Sequence, residues 1–350
     1  MSPSPPPPRR RRPPAPRPNA PVPALPGPGT PCQRTPDSLR LRRLLVPVDF
    51  SSSALEALRF VLPFAQECGA RIDLLHVVTP LVVPAETTYL TREWSRYEAG
   101  QRAASVAELE RLATAELTSV ASEILVRTGE PRSVISRVAG ERRSDWVVLA
   151  THGRRGLKRF LLGSTAEGVV RRAPCPVLTV RQPVLRQQGT PQTPPSERIN
   201  RVLVPVDFAT PTRGLLEYAA ALANTFRASL QLLHVVDRVQ VPTRVAYAAA
   251  QLQGAALRRG QEQLAEAAAQ IGFPARTAAQ AVRIGTPYDV ITQLARRLPV
   301  DLIVVATHGH GGLRRLFLGS TTERVLRHAP CPVLVVRGAP HHGQPQGHTP

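Results

Sequence analysis

Apolar residues come in short unbroken runs, each followed by a stretch in which they recur at helical spacing. "RLLVPVD" at 43–49 is such a run, rich in β-branched residues, and reads as a strand buried on both faces. "SSSALEALRFVLPFAQECGA" at 51–70 follows with serine caps and helical periodicity, and Pro63 is expected to kink it. "RIDLLHVV" at 71–78 is a second strand, and a helix is expected near 97–117. "SEILVRTG" at 122–129 is a third strand, and "PRSVISRVAGERR" at 131–143 is a helix opened by Pro131 in its first turn. "DWVVLAT" at 145–151 is a fourth strand, "GSTAEGVVRRA" at 163–173 starts a last helix, and "CPVLTVR" at 175–181 is a fifth strand. Strands and helices in strict alternation give an α/β fold with a doubly wound, five-stranded parallel sheet.

The whole pattern then repeats. "LLVPVDFS" at 44–51 returns as "VLVPVDFA" at 202–209, and "DLLHVV" at 73–78 as "QLLHVV" at 231–236. "VRTGEPRSVI" at 126–135 returns as "VRIGTPYDVI" at 282–291, and "APCPVLTVR" at 173–181 as "APCPVLVVR" at 329–337. The offset is 158 residues at the start of the repeat (44 to 202) and 156 at its end (173 to 329), so the length drifts between the second strand and the third. This divides the chain into a Pro/Arg-rich tail at 1–38, a first domain at 39–182, a Pro/Gln-rich linker at 183–197, a second domain at 198–338 and a loose tail at 339–350. The tail before the first domain has polyproline character and too little apolar surface for a core, so disorder is expected.

Composition narrows the function. The formal charge of +20 comes almost wholly from arginine, Lys158 being the only lysine. The arginines are spread along the chain, and aromatic residues that would stack on bases are missing from the basic stretches, so no nucleic-acid partner is expected. No apolar run approaches the ~20 residues of a membrane span, and the N-terminus lacks the apolar stretch of a signal peptide. The four cysteines, Cys32, Cys68, Cys175 and Cys331, form no C-x-x-C pair, which argues against zinc and thioredoxin-like chemistry. The expectation is a reduced, cytoplasmic protein that is not inserted in a membrane.

The candidate chemistry lies in a phrase written twice, "ATHGRRGLKRFLLGST" at 150–165 and "ATHGHGGLRRLFLGST" at 306–321. In open α/β sheets ligands sit outside the carboxyl ends of the strands, where the strand order reverses. The phrase falls there, with Ala150, Thr151, His152 and Gly153 after the fourth strand and Gly163-Ser164-Thr165 opening the last helix. A helix N-terminus offers unpaired N–H groups and a positive dipole end, and glycine lets a phosphate approach the backbone. The alternative reading of Gly163-Ser164-Thr165 is a plain helix cap, and Asp49 serves equally as a cap of the first helix or as a ligand contact. His76, His152, His234 and His308 lack a second ligand at metal spacing and read as turn histidines satisfied by their neighbours. There is no G-x-x-x-x-G-K-[ST], and no Ser-His-Asp set or carboxylate pair is evident.

On "VPVDFS", "LLHVV", "THG" with nine residues before "GST", and "PCPVLTV", all in order and twice over, the chain resembles the universal stress proteins, as a tandem member over 40–182 and 198–338. The resemblance implies two Rossmann-like domains and a pocket for ATP, with Mg²⁺. The family's ATP-binding members carry G-x-x-G-x₉-G-[ST], whose later elements match Gly153, Gly163 and Ser164 in the first copy and Gly309, Gly319 and Ser320 in the second. Pro47, Asp49 and Val77, and Pro205, Asp207 and Val235, then line the adenine and ribose end. Val48, Thr165, Val206, Thr321, His152 and His308 complete the two candidate nucleotide sites. The motif's first glycine is replaced by Ala150 and Ala306, whose methyl groups would crowd the ribose or α-phosphate. Family dimers pair through the fifth, edge strand, which implies an internal pseudo-dimer of the two domains and admits a further homodimer. The expected function is nucleotide binding in a stress response without fast catalysis. The alternatives are a ligand-free interaction protein, or an enzyme with weak ATPase or nucleotidyl activity.

Overall fold

The structure is a computed structural model that describes residues 39, 41–80, 91–151, 162–181, 198–208, 212–238, 246–271, 278–307 and 318–337. The tails at 1–38 and 339–350 and the linker at 183–197 lie outside the described residues, as do His152, Gly153, His308 and Gly309.

The first half runs β1 (Arg43–Pro47), α1 (Ser52–Cys68), β2 (Arg71–Val78), α2 (Thr91–Glu116), β3 (Ser122–Thr128), α3 (Pro131–Glu141), β4 (Trp146–Ala150), α4 (Ser164–Arg172) and β5 (Val177–Val180). The second runs β6 (Arg201–Val206), α5 (Arg213–Thr225), β7 (Ser229–Val236), α6 (Ala246–Gln270), β8 (Ala278–Ile284), α7 (Pro287–Arg297), β9 (Leu302–Thr307), α8 (Ser320–His328) and β10 (Val333–Arg337). All five strands expected in each copy are present. α1 continues through Pro63, carried by the burial of Phe60, Val61, Phe64 and Ala65 around it. The backbone confirms the 158-residue offset: Gly69 (φ 63°) and Arg227 (φ 52°) end α1 and α5 in the same left-handed turn. The next residue in each closes an equivalent bond, Ala70 N–H to Ala65 O at 2.8 Å and Ala228 N–H to Ala223 O at 2.8 Å.

Strand order is β3-β2-β1-β4-β5-β10-β9-β6-β7-β8 in one ten-stranded sheet. Within each half every pair is parallel, and the halves join where β5 meets β10 antiparallel, with Leu178 opposite Leu334 at the centre. The two five-stranded sheets of the sequence are thus one continuous sheet, and each edge strand covers the other. Alternate strand residues face opposite layers. Leu44 and Val46 enter a core with α1, α2, α5 and α6, while Leu45 enters a second core with α3, α4, α7 and α8. Both cores pass without a break from one half to the other. At the amino ends of β1 and β4 the Asp145 carboxylate accepts from the backbone N–H of Arg42 at 2.6 Å and Arg43 at 2.9 Å. Asp301 does the same for Asn200 at 2.8 Å and Arg201 at 2.9 Å, which leaves the carboxyl ends of the strands for function.

Candidate functional site

In each half the order reverses between β1 and β4, or β6 and β9, and the carboxyl ends of these strands open beside the start of the last helix. In the first half the chain turns sharply after β1, with Phe50 at φ 60°. Asp49 accepts from Ser51 through its N–H at 3.1 Å and its hydroxyl at 2.5 Å, and Ser51 in turn accepts from Ala54 N–H at 3.2 Å. Ser51 therefore caps α1, and Asp49 braces the cap from behind. The Nδ1–H of His76 donates to Val48 O at 2.8 Å, and its ring lies 4.6 Å from that of Phe50. The second half repeats this with His234 donating to Val206 O at 2.9 Å and its ring lying 4.9 Å from that of Phe208. Both histidines are thus spent on fixing the strand-end turn. No cluster of three or more histidine, cysteine or acidic side chains suited to a metal occurs among the described residues.

The last helix of each half begins without a side-chain cap. Gly163 is the N-cap of α4 and Gly319 that of α8, and neither cap makes a side-chain hydrogen bond among the described residues. Ser164 is exposed and sits one position too late to cap. Gly163 donates to Thr151 O at 2.9 Å, and its carbonyl accepts Glu167 N–H at 2.9 Å. The first-turn N–H groups of Ser164, Thr165 and Ala166 have no partner within the helix and form the positive end of its dipole. A Cβ on Gly163 would stand 3.3 Å from Thr151 O, so glycine keeps the loop from β4 close to the helix start.

In the second half a cleft gathers the carboxyl ends of β6, β7 and β9 with the first turn of α8. Pro205, Val206, Asp207, Val235, Ala306 and Thr321, all named from the sequence, line it together. Gly319 and Ser320 stand beside Thr321 at the helix start, outside the lining. Their first-half counterparts Pro47, Val48, Asp49, Val77, Ala150 and Thr165 occupy the matching strand ends and helix turn. Sequence patterning missed Thr212, Asp237, Pro287, Ile291 and Thr322, which also line the cleft. Pro287 and Ile291 belong to the repeated "GTPYDVI" phrase, whose turn needs its glycine. Gly285 has φ 153° and would place a Cβ 2.7 Å from Val290, and Gly129 repeats this at φ 144° and 2.8 Å from Val134. That repetition was the available signal. Ala150 and Ala306 replace motif glycines without backbone strain, because the non-glycine residues with positive φ among those described are Phe50, Arg143 and Arg227. The two sites differ: Asp237 and Thr322 stand where the first half has Thr79 and Ala166, and Thr322 donates to Ala306 O at 3.1 Å.

The universal stress protein family model matches residues 40–181 and 198–337. A universal stress protein of Methanocaldococcus jannaschii is 33% identical over 145 residues, 41% of this chain and 83% of that protein. One from Mycobacterium tuberculosis is 30% identical over 254 residues, 70% of this chain and 78% of its own length. One from Mycolicibacterium smegmatis is 28% identical over 302 residues, 84% of this chain and 96% of its own. The crystal structure of a universal stress protein from Archaeoglobus fulgidus superposes with a TM-score of 0.57 at 23% identity, covering 85% of this chain and 99% of that one. That likeness is one of fold.

Proposed function

This chain belongs to the universal stress protein family, and on that premise we propose that it binds ATP at the two strand-end sites and acts in a stress response by binding rather than by fast catalysis. One observation carries the proposal: two helices at equivalent places start at glycine N-caps that provide no side-chain cap, and the first turn of one of them lines a cleft. Such a helix start attracts phosphate.

The residues present fit a nucleotide. Ser164 and Thr165, with Ser320 and Thr321, offer hydroxyl and N–H donors to phosphate oxygens. Pro205 and Val235 offer apolar surface to a base, and the Asp207 carboxylate can accept from ribose hydroxyls. Gly153 and Gly309, with His152 and His308, belong to the same proposal by their place in the phrase. Magnesium would arrive with the phosphates and keep waters, needing few protein carboxylates. The proposal assigns no catalytic residue and allows at most slow hydrolysis. It places the protein in the cytoplasm, and no helix among the described residues is long and apolar enough to cross a membrane.

Thermal unfolding with and without Mg-ATP tests this. At about 100 times its dissociation constant a ligand stabilises by roughly 2.7 kcal/mol, so the midpoint should rise by several degrees. An unchanged midpoint at millimolar Mg-ATP would favour the ligand-free interaction protein instead.

A further inference from the structure

The seam between the halves is unequal across its pseudo-two-fold axis. The Trp146 indole N–H, on β4, donates at 2.6 Å to the Tyr218 hydroxyl on α5, a contact 72 residues apart in sequence. The Trp146 side chain is fully buried. Nearby, the Phe64 ring of α1 meets that of Phe226, the C-cap of α5, edge-on at 5.4 Å. Both contacts join one half to the other.

The repeat identifies the residues that take these places on the far side of the axis. Leu44 pairs with Trp146 as Val202 pairs with Leu302, so Leu302 is the counterpart of Trp146. The 158-residue offset that matches Gly69 with Arg227 makes Phe60 the counterpart of Tyr218, Leu222 of Phe64 and Cys68 of Phe226. One side of the seam thus holds Trp, Tyr and two Phe, and the other Leu302, Phe60, Leu222 and Cys68. The backbone ladder does not carry the difference, although the buried Thr179 hydroxyl on β5 donates across it to Val333 O at 3.0 Å where β10 has Val335, a bond that a second copy of β5 would also accept. β5 and β10 come from nearly identical phrases, and a second copy of β5 could pair with β5 in the same register.

A pair of two first halves would set Trp146 against Phe60 at both sites. Phe60 has no acceptor, so two buried indole N–H groups would lose their bond, the expensive case for a polar group. Phe64 would face Cys68, with less ring surface to meet. A pair of two second halves would set Tyr218 against Leu302, with no indole to donate. Only the mixed pair matches donor to acceptor and ring to ring.

We propose that the Trp146–Tyr218 hydrogen bond and the Phe64–Phe226 contact make the pairing face of the first half selective for the second half of this chain over a second copy of itself. The chain then closes on itself instead of cross-linking through edge strands. The device is independent of any ligand.

The test uses the full-length protein with a protease site placed in the 183–197 linker. The protein is cut while folded, unfolded in urea, refolded, and weighed by native mass spectrometry. The expected result is a strong excess of mixed pairs, at least tenfold over either like pair. A statistical mixture of one, two and one parts would overturn the proposal. Trp146→Leu together with Tyr218→Phe should move the mixture towards statistical, and undiminished selectivity in that variant would equally overturn it. Should the cut halves fail to refold, the uncut chain decides by a double-mutant cycle of Trp146→Phe and Tyr218→Phe. A coupling of about fivefold in the unfolding constant is expected, and strict additivity would contradict the assignment.

Discussion

The Arg337 guanidinium donates to the backbone carbonyl of Arg171 at 2.6 Å, reaching from β10 across the seam to the last turn of α4. Its counterpart Arg181 donates to the carbonyl of Arg327 in the last turn of α8. Carbonyls in a last helical turn lack partners within the helix and carry its negative dipole end. Each half therefore caps a helix of the other. Arg337→Met should lower stability by roughly 1.5–3 kcal/mol, the range for a hydrogen bond to a charged group. A urea midpoint indistinguishable from that of the unaltered chain would show the contact to be idle.

The strands were legible because parallel strands covered on both faces read as plain apolar runs, and "RLLVP", "WVVLA" and "VLTV" are such runs. The repeated phrases located the strand ends. The cap assignment was not legible: Ser164 has the right chemistry to cap, yet the chain enters the helix at Gly163. One residue of phase decides this, and composition does not contain it. Asp237 and Thr212 reach the cleft from segments beside β7 and α5 whose approach depends on sheet order, and the Trp146–Tyr218 bond depends on how two sheets fuse. Neither is local.

The two serines at helix starts should separate by experiment. Ser51 accepts from Ala54 N–H, so Ser51→Ala should cost about 1 kcal/mol of stability. Ser164 makes no cap, so Ser164→Ala should stay within about 0.5 kcal/mol of the unaltered protein while weakening nucleotide binding. Equal losses of stability in the two variants, read from urea midpoints, would return Ser164 to a capping role.

His328, at the end of α8, has its pKa held below the usual histidine value, first by burial and then by the positive charges of Arg181, Arg296, Arg327 and Arg324. A lowered folded pKa means that the unfolded chain binds the proton more readily. Stability should then fall as pH drops through the ordinary histidine value, about 6.5, and recover above it. His328→Gln should flatten the change in unfolding free energy between pH 7.5 and 5.5, a window above the carboxylates. A slope identical in both proteins would assign the effect elsewhere.

The claim that the twice-written phrase builds phosphate cradles is tested most directly by calorimetric titration of the unaltered full-length chain with Mg-ATP and, separately, with adenosine. Both ligands carry the same base and sugar, and only one carries the anion that the proposal assigns to the starts of α4 and α8. Saturable binding of ATP at least about tenfold tighter than adenosine, a difference of about 1.4 kcal/mol, is the predicted result. Equal affinities, or no heat of binding with millimolar ATP, would contradict it.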